Sequence, residues 1–211
     1  LARRETTRFP RLAVELRPRK RPLPRAADHP MIRRHGPLRP RRTQDRDPKR
    51  EVRVILDKSV ELTLADEAET GRLGQALAGL LRIGDAVLLS GPLGAGKSTL
   101  ARALIRALTT PDESVPSPTF TLVQAYEAAD LTVAHFDLYR IERPDDLDEL
   151  GFDEALDEGA AIVEWPQRLG TRLPRDRLAI ELARCESGEA EDGRIARIEP
   201  FGSWKGRVLE W

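Results

Sequence analysis

The stretch Gly91-Pro92-Leu93-Gly94-Ala95-Gly96-Lys97-Ser98 matches G-x-x-x-x-G-K-[ST] at every fixed position. This pattern constrains its surroundings tightly, because such a loop works between a buried strand and a helix. Both flanks are legible. Ala86-Val87-Leu88-Leu89-Ser90 is a short apolar run of the kind buried in a parallel sheet. Ser98 to Leu108 reads as a helix, with Leu100, Leu104 and Leu108 at i, i+4 and i+8. In that context the glycines let the backbone wrap around phosphate oxygens with amide hydrogens turned inward, and the helix adds its positive end. Lys97 offers a mobile charge to the β and γ phosphates, and Ser98 a hydroxyl ligand for magnesium. The motif therefore predicts ATP with Mg2+ as the ligand. A glycine-rich turn with a surface lysine is the plain alternative, and the flanking strand and helix argue against it.

The remaining pattern predicts an α/β fold. Val52, Val54 and Leu56, then Val60, Leu62 and Leu64, alternate as one strand with a break over 51–64. Asp66 offers an N-cap for a helix carrying Ala68, Leu73, Leu77, Leu80 and Leu81 on one face. Gly84-Asp85 turns the chain into the run before the loop. Pro111 to Pro118 reads as a loop, and Thr119 to Tyr126 and Leu131 to Phe136 as strands joined by a turn at Ala128 to Asp130. Pro144 to Leu156 reads as an acidic helix and Ala160 to Trp165 as a strand closing in Glu164. Leu178 to Leu182 and Ile195 to Ile198 are late strands around a glycine- and acid-rich loop, 186–193. Interleaved strands and helices imply a P-loop NTPase-like three-layer domain around a central, mostly parallel or mixed sheet.

Charge divides the chain. Net charge is zero, yet residues 1–50 hold 17 Lys/Arg against 5 Asp/Glu and 8 of the 16 prolines. Residues 51–211 hold 18 Lys/Arg against 30 Asp/Glu. A proline-rich, highly charged segment buries too little surface to offset chain entropy, so 1–50 is expected to be a disordered basic extension and 51–211 an acidic folded domain. The extension lacks the apolar core of a secretory signal and is too proline-broken for a good amphipathic transit helix; a solvated tail, or sequence upstream of a start near Met31, is the expectation. Cys185 is the single cysteine, which excludes an intrachain disulfide. No apolar run approaches the roughly 18 residues of a membrane span, and a cytoplasmic location is expected. An acidic domain is also a poor direct grip for tRNA.

Two acids close predicted strands: Asp137 after Val133-Ala134-His135-Phe136, and Glu164 after Ala161-Ile162-Val163. Ligands of open α/β sheets bind at that carboxyl edge, where one acid could hold magnesium and another orient water. Each could equally cap its strand or pair with an arginine. His135 reads as a packed core residue. Tyr139 and Arg140 could meet phosphate or a partner, though Arg140 could equally be a salt-bridging surface residue, and Trp165 could stack on a base or pack in the core.

The glycine-rich loop, then Ser117-Pro118-Thr119-Phe120-Thr121-Leu122-Val123, His135-Phe136-Asp137-Leu138-Tyr139-Arg140 and Val163-Glu164-Trp165-Pro166, resemble the bacterial TsaE family in that family's order. The likeness runs from about Leu62 to Ile198. It implies a weak ATPase of tRNA threonylcarbamoyladenosine biosynthesis. TsaE proteins join the TsaB–TsaD pair, which modifies adenosine 37 of tRNAs reading ANN codons, and the ATP cycle resets that complex. The likeness implies that tRNA is met only through the complex. It also implies that Gly91, Gly94, Ala95, Gly96, Lys97, Ser98 and Thr99 hold phosphates and that Ser98 and Glu164 ligate magnesium. Asp137 would assist hydrolysis, and Thr119 would lie in a switch-like loop near the γ phosphate. Adenine would fall near Glu67 and Arg194. Ser98 stands where the family usually has threonine, which keeps the hydroxyl. A small-molecule or nucleoside kinase using Asp137 as base is the competing enzyme reading, but its usual arginine-rich lid has only Arg194 to represent it in the loop 186–194. A nucleic-acid binder acting through residues 1–50 is the non-enzymatic alternative. No arginine stands out as a finger for this site, so slow hydrolysis by the isolated chain is expected.

Overall fold

A computed structural model of the chain describes residues 53–143, 146–185 and 193–210. The expected disordered extension, residues 1–50, and most of the loop 186–193 lie outside the described residues. The strands are β1 (Arg53–Ile55), β2 (Val60–Leu64), β3 (Ala86–Ser90), β4 (Val123–Glu127), β5 (Thr132–Asp137), β6 (Gly159–Glu164), β7 (Arg177–Arg184), β8 (Arg194–Pro200) and β9 (Val208–Glu210). The helices are α1 (Glu67–Ala78), α2 (Lys97–Leu108), α3 (Asp146–Glu149) and α4 (Phe152–Glu158). Seven strands form one mixed sheet in the order β2-β8-β7-β3-β6-β5-β4. Its centre, β7-β3-β6-β5, is parallel, and β8 and β4 run antiparallel to their neighbours.

Alternation along β3 builds two cores, because successive side chains point to opposite faces. Val87 and Leu89 join Leu73 and Leu77 of α1 and Leu100 and Leu104 of α2 on one face. Ala86 and Leu88 join Phe136, Val163, Leu147 of α3 and Phe152 of α4 on the other. The result is the expected three-layer α/β domain. Asp66 caps α1, accepting the Glu69 N–H at 2.9 Å, and satisfies one of the donors a helix start leaves open.

Four expectations need correction. The strand pattern over 51–64 is two strands in different sheets: β2 pairs β8, whereas β1 pairs β9 in a separate two-stranded sheet. Thr119–Leu122 is a turn, closed by the Leu122 N–H on the Pro118 carbonyl at 2.6 Å, with Leu122 at φ 65; only Val123 onward pairs. The acidic helix is two short ones, broken where Gly151 takes φ 68. Ala68 is exposed rather than on the apolar face of α1, where Thr70 is buried instead, and α1 ends before Leu80 and Leu81, which pack against the core from the following turn.

The segment after β8 lies beyond what the sequence pattern matched. Trp204 is fully buried, and Arg207 is held by Asp85, its Nη1 at 2.5 Å and its Nη2 at 2.9 Å from the two carboxylate oxygens. Arg207 Nη1 also donates to the Leu80 carbonyl at 2.8 Å, so this segment ties the end of α1 to the start of β3.

Candidate functional site

β3 is the strand from which the glycine-rich loop springs, and β6 and β7 on either side fix where the loop begins. Gly91 takes φ 128, and a Cβ there would stand 2.1 Å from the Leu182 carbonyl oxygen of β7. No other residue fits that position, for both reasons. Gly96 at φ 104 turns the chain into α2, whose first full-turn hydrogen bond runs from the Leu100 N–H to the Gly96 carbonyl at 2.9 Å. The loop thus ends on a helix N-terminus, where amide hydrogens and the positive end of the dipole favour an anion.

Lys97 is 4 % exposed. Its Nζ donates to the carbonyls of Gly91 and Pro92, both at 2.9 Å, and lies 4.1 Å from the Trp165 ring centroid. Burial pulls the ammonium below the ordinary lysine range, while the charges of Glu164 and then Asp137 oppose that fall. Trp165 holds its place through a left-handed backbone at φ 61 and rests against Tyr139, ring centroids 5.0 Å apart. It therefore lines the site rather than the core.

Asp137 and Glu164 end adjacent parallel strands in direct register. Both are buried, at 4 % and 2 % exposure. Glu164 Oε2 accepts from Ser98 Oγ at 2.9 Å, and Oε1 lies 3.0 Å from His135 Nε2. Asp137 Oδ2 accepts from Thr119 Oγ1 at 2.7 Å and from Ser117 Oγ at 3.5 Å; Oδ1 accepts the Tyr139 N–H at 3.1 Å. One carboxylate is thus coupled to the loop's hydroxyl and the other to the 117–122 turn. The Ser98 hydroxyl and Glu164 are hard oxygen donors placed together, and no group of three or more His, Cys, Asp or Glu that could hold a metal unaided occurs among the described residues.

These groups line a cleft of about 670 Å³. Of the residues singled out in the sequence, Glu67, Gly94, Gly96, Lys97, Ser98, Thr99, Thr119, Asp137, Glu164 and Arg194 all line it. Gly91 and Ala95 do not, but they hold what does: the Gly91 carbonyl receives Lys97, and the Ala95 carbonyl receives Arg194 Nε at 3.1 Å. Sequence reasoning missed Asp66 and Thr70 as cleft residues, although Asp66 was legible as a cap. It also missed His135 as the partner of Glu164; the signal was its spacing of two from Asp137, which puts both on one face of β5.

Comparison with known proteins extends these findings. Residues 64–192 match the family described as threonylcarbamoyl adenosine biosynthesis protein TsaE. Similar chains include three proteins named tRNA threonylcarbamoyladenosine biosynthesis protein TsaE. That of Rickettsia conorii is 44 % identical over 60 % of this chain and 73 % of its own length. That of Rickettsia bellii is 36 % identical over 64 % and 91 %, and that of Bacillus subtilis 33 % over 64 % and 84 %. The crystal structure of Bacillus subtilis YdiB superposes with a TM-score of 0.57 at 27 % identity, over 69 % of this chain and 87 % of that one.

Proposed function

Because the chain belongs to the TsaE family, we propose that it binds ATP with magnesium and hydrolyses it slowly in support of tRNA threonylcarbamoyladenosine biosynthesis. The observation that carries this reading is the register of Asp137 with Glu164 beside Ser98 and Lys97, which sets two carboxylates opposite an anion-binding loop. The triphosphate lies in the loop, its oxygens met by the backbone amides of residues 91–99 and by Lys97. Nζ exchanges two neutral carbonyl partners for phosphate oxygens, a stronger, charge-assisted bond.

The donor set suits magnesium, which takes one or two protein oxygens and shares the rest with water and phosphate. Ser98 Oγ and Glu164 would hold it, and when bound it neutralises charge developing on the phosphates. Asp137 sits in the adjacent register position, where it orients and accepts a proton from the attacking water, while Thr119 bonds the same carboxylate oxygen and links it to the 117–122 turn. Glu67 and Arg194, which both line the cleft, would hold the adenine end.

Arg194 is the arginine lining the cleft among the described residues, and its Nε and Nη1 donate to the Ala95 and Gly193 carbonyls. Positioned positive charge at the γ phosphate is worth about 10³–10⁵ in rate where it is supplied, so hydrolysis by the chain alone is slow and a partner completes the site. TsaB and TsaD are that partner pair in this reading, with tRNA reached through them, in the cytoplasm. No helix among the described residues is long and apolar enough to cross a membrane.

Calorimetry with Mg-ATP tests the reading directly. The parent chain binds, and Lys97→Ala lowers affinity on the order of 10–100-fold, the worth of a charge-assisted hydrogen bond or two. Equal affinities would contradict it. Turnover should stay low until TsaB and TsaD are added; fast hydrolysis by the chain alone would remove the need for a partner.

A further inference from the structure

Glu164 has both carboxylate oxygens engaged, one by Ser98 and one by His135. The His135 and Glu164 side chains are 1 % and 3 % exposed. An ionised carboxylate only accepts, so His135 Nε2 is the donor. The other ring nitrogen, Nδ1, is buried with no hydrogen-bond partner among the described residues. A second N–H there would be an unmet donor, and a bare nitrogen is the less costly occupant. The imidazole therefore grips Glu164 through one N–H.

Packing does not account for a histidine here. Its neighbours across β6 and around β3 belong to an apolar layer that includes Val133, Ile162 and Val87, where an aliphatic side chain would avoid burying a polar ring. A glutamate, by contrast, has three side-chain torsions to fix, and a ligand that must meet a cation beside Ser98 loses affinity if it samples other rotamers.

We propose that His135 is a positioning residue, which donates from Nε2 to lock the Glu164 carboxylate against Ser98 and hold it ready for the magnesium of a bound nucleotide. This rests on the nucleotide reading above. His135 touches neither nucleotide nor metal; it acts through Glu164 and should affect only the metal-dependent part of binding.

The test is calorimetry of ATP with and without Mg2+ on the parent, His135→Leu, His135→Gln and His135→Asn. Glutamine places an amide N–H where Nε2 stands, asparagine where Nδ1 stands. Metal-free affinity should stay within about twofold throughout. The gain on adding Mg2+ should fall on the order of tenfold in the leucine and asparagine variants and largely return with glutamine. A parent-like gain in His135→Leu, or equal rescue by asparagine and glutamine, overturns the proposal. Should the leucine variant fail to fold by circular dichroism, the glutamine–asparagine pair decides alone. A parent that binds ATP without response to Mg2+ sinks the role of His135 and leaves the loop assignment standing. A parent that binds no ATP sinks both.

Discussion

Single residues at the cleft divide into those whose job local spacing declares and those whose job depends on a neighbouring strand. Gly91, Lys97 and Ser98 are of the first kind, because six or seven residues of chain set their mutual geometry. Asp137 and Glu164 were legible as strand ends, but their adjacency and the His135 contact depend on how β5 pairs β6, which no local pattern encodes. Thr119 offers a direct check: Thr119→Ala removes the 2.7 Å bond to Asp137 and should lower kcat by roughly 10–100-fold, as misplaced groups do, with Mg-ATP affinity within about twofold by calorimetry. Away from the cleft, Tyr126 is buried, and its hydroxyl has no hydrogen-bond partner among the described residues. Burial, with the Glu113 charge adding to it, pushes its phenol up to about 12. The fold therefore favours the neutral form. Its contribution to stability is complete below about pH 10, the ordinary tyrosine value, and is lost as pH rises to about 12. The chain has two tyrosines, so a tyrosinate absorbance titration should lose its step near pH 12 in Tyr126→Phe; a step that persists has another source.

At the scale of elements, helices and strands were read correctly wherever period and propensity agreed, as in β3, α2 and β6. The reading failed at 119–122. Thr-Phe-Thr-Leu has every residue a strand would want, yet the Pro118 carbonyl and the Asp137 N–H, which donates to the Leu122 carbonyl at 2.9 Å, fold it into a turn that no propensity foresees. Tertiary bonds won over local preference there, beside the site. The packing of α1 on α2 was hidden for a related reason: the helices meet at Gly74, which sequence marks only as a poor helix former. A Cβ at Gly74 would lie 2.8 Å from Ala103 Cβ and 3.0 Å from backbone atoms of Leu100 and Leu104. Gly74→Ala should therefore destabilise the domain by about 1–3 kcal/mol, the usual cost of overpacking, despite alanine's better helix propensity. Urea denaturation should show a lower midpoint with unchanged slope; a higher midpoint would mean that the helices separate freely.

Across the whole domain, the sheet order was the part least legible, because β8 and β7 arrive late in the chain and insert between β2 and β3. Trp204 and Arg207 were not placed at all by the sequence pattern, yet they anchor the buried pair with Asp85. Arg207→Met strands that carboxylate and should cost about 3–5 kcal/mol, whereas adding Asp85→Asn should regain most of the loss in thermal or urea melts. No recovery in the double variant would assign the loss to packing instead of charge. The pairing of β1 with β9, Arg53 opposite Glu210, carries a consequence for synthesis. During synthesis Arg53–Ile55 leaves the ribosome long before Val208–Glu210, and its ladder has no partner until those residues follow. Closure of this pair therefore waits on synthesis past residue 210, and a chain stalled before residue 208 keeps an open seam that a chaperone or protease can read.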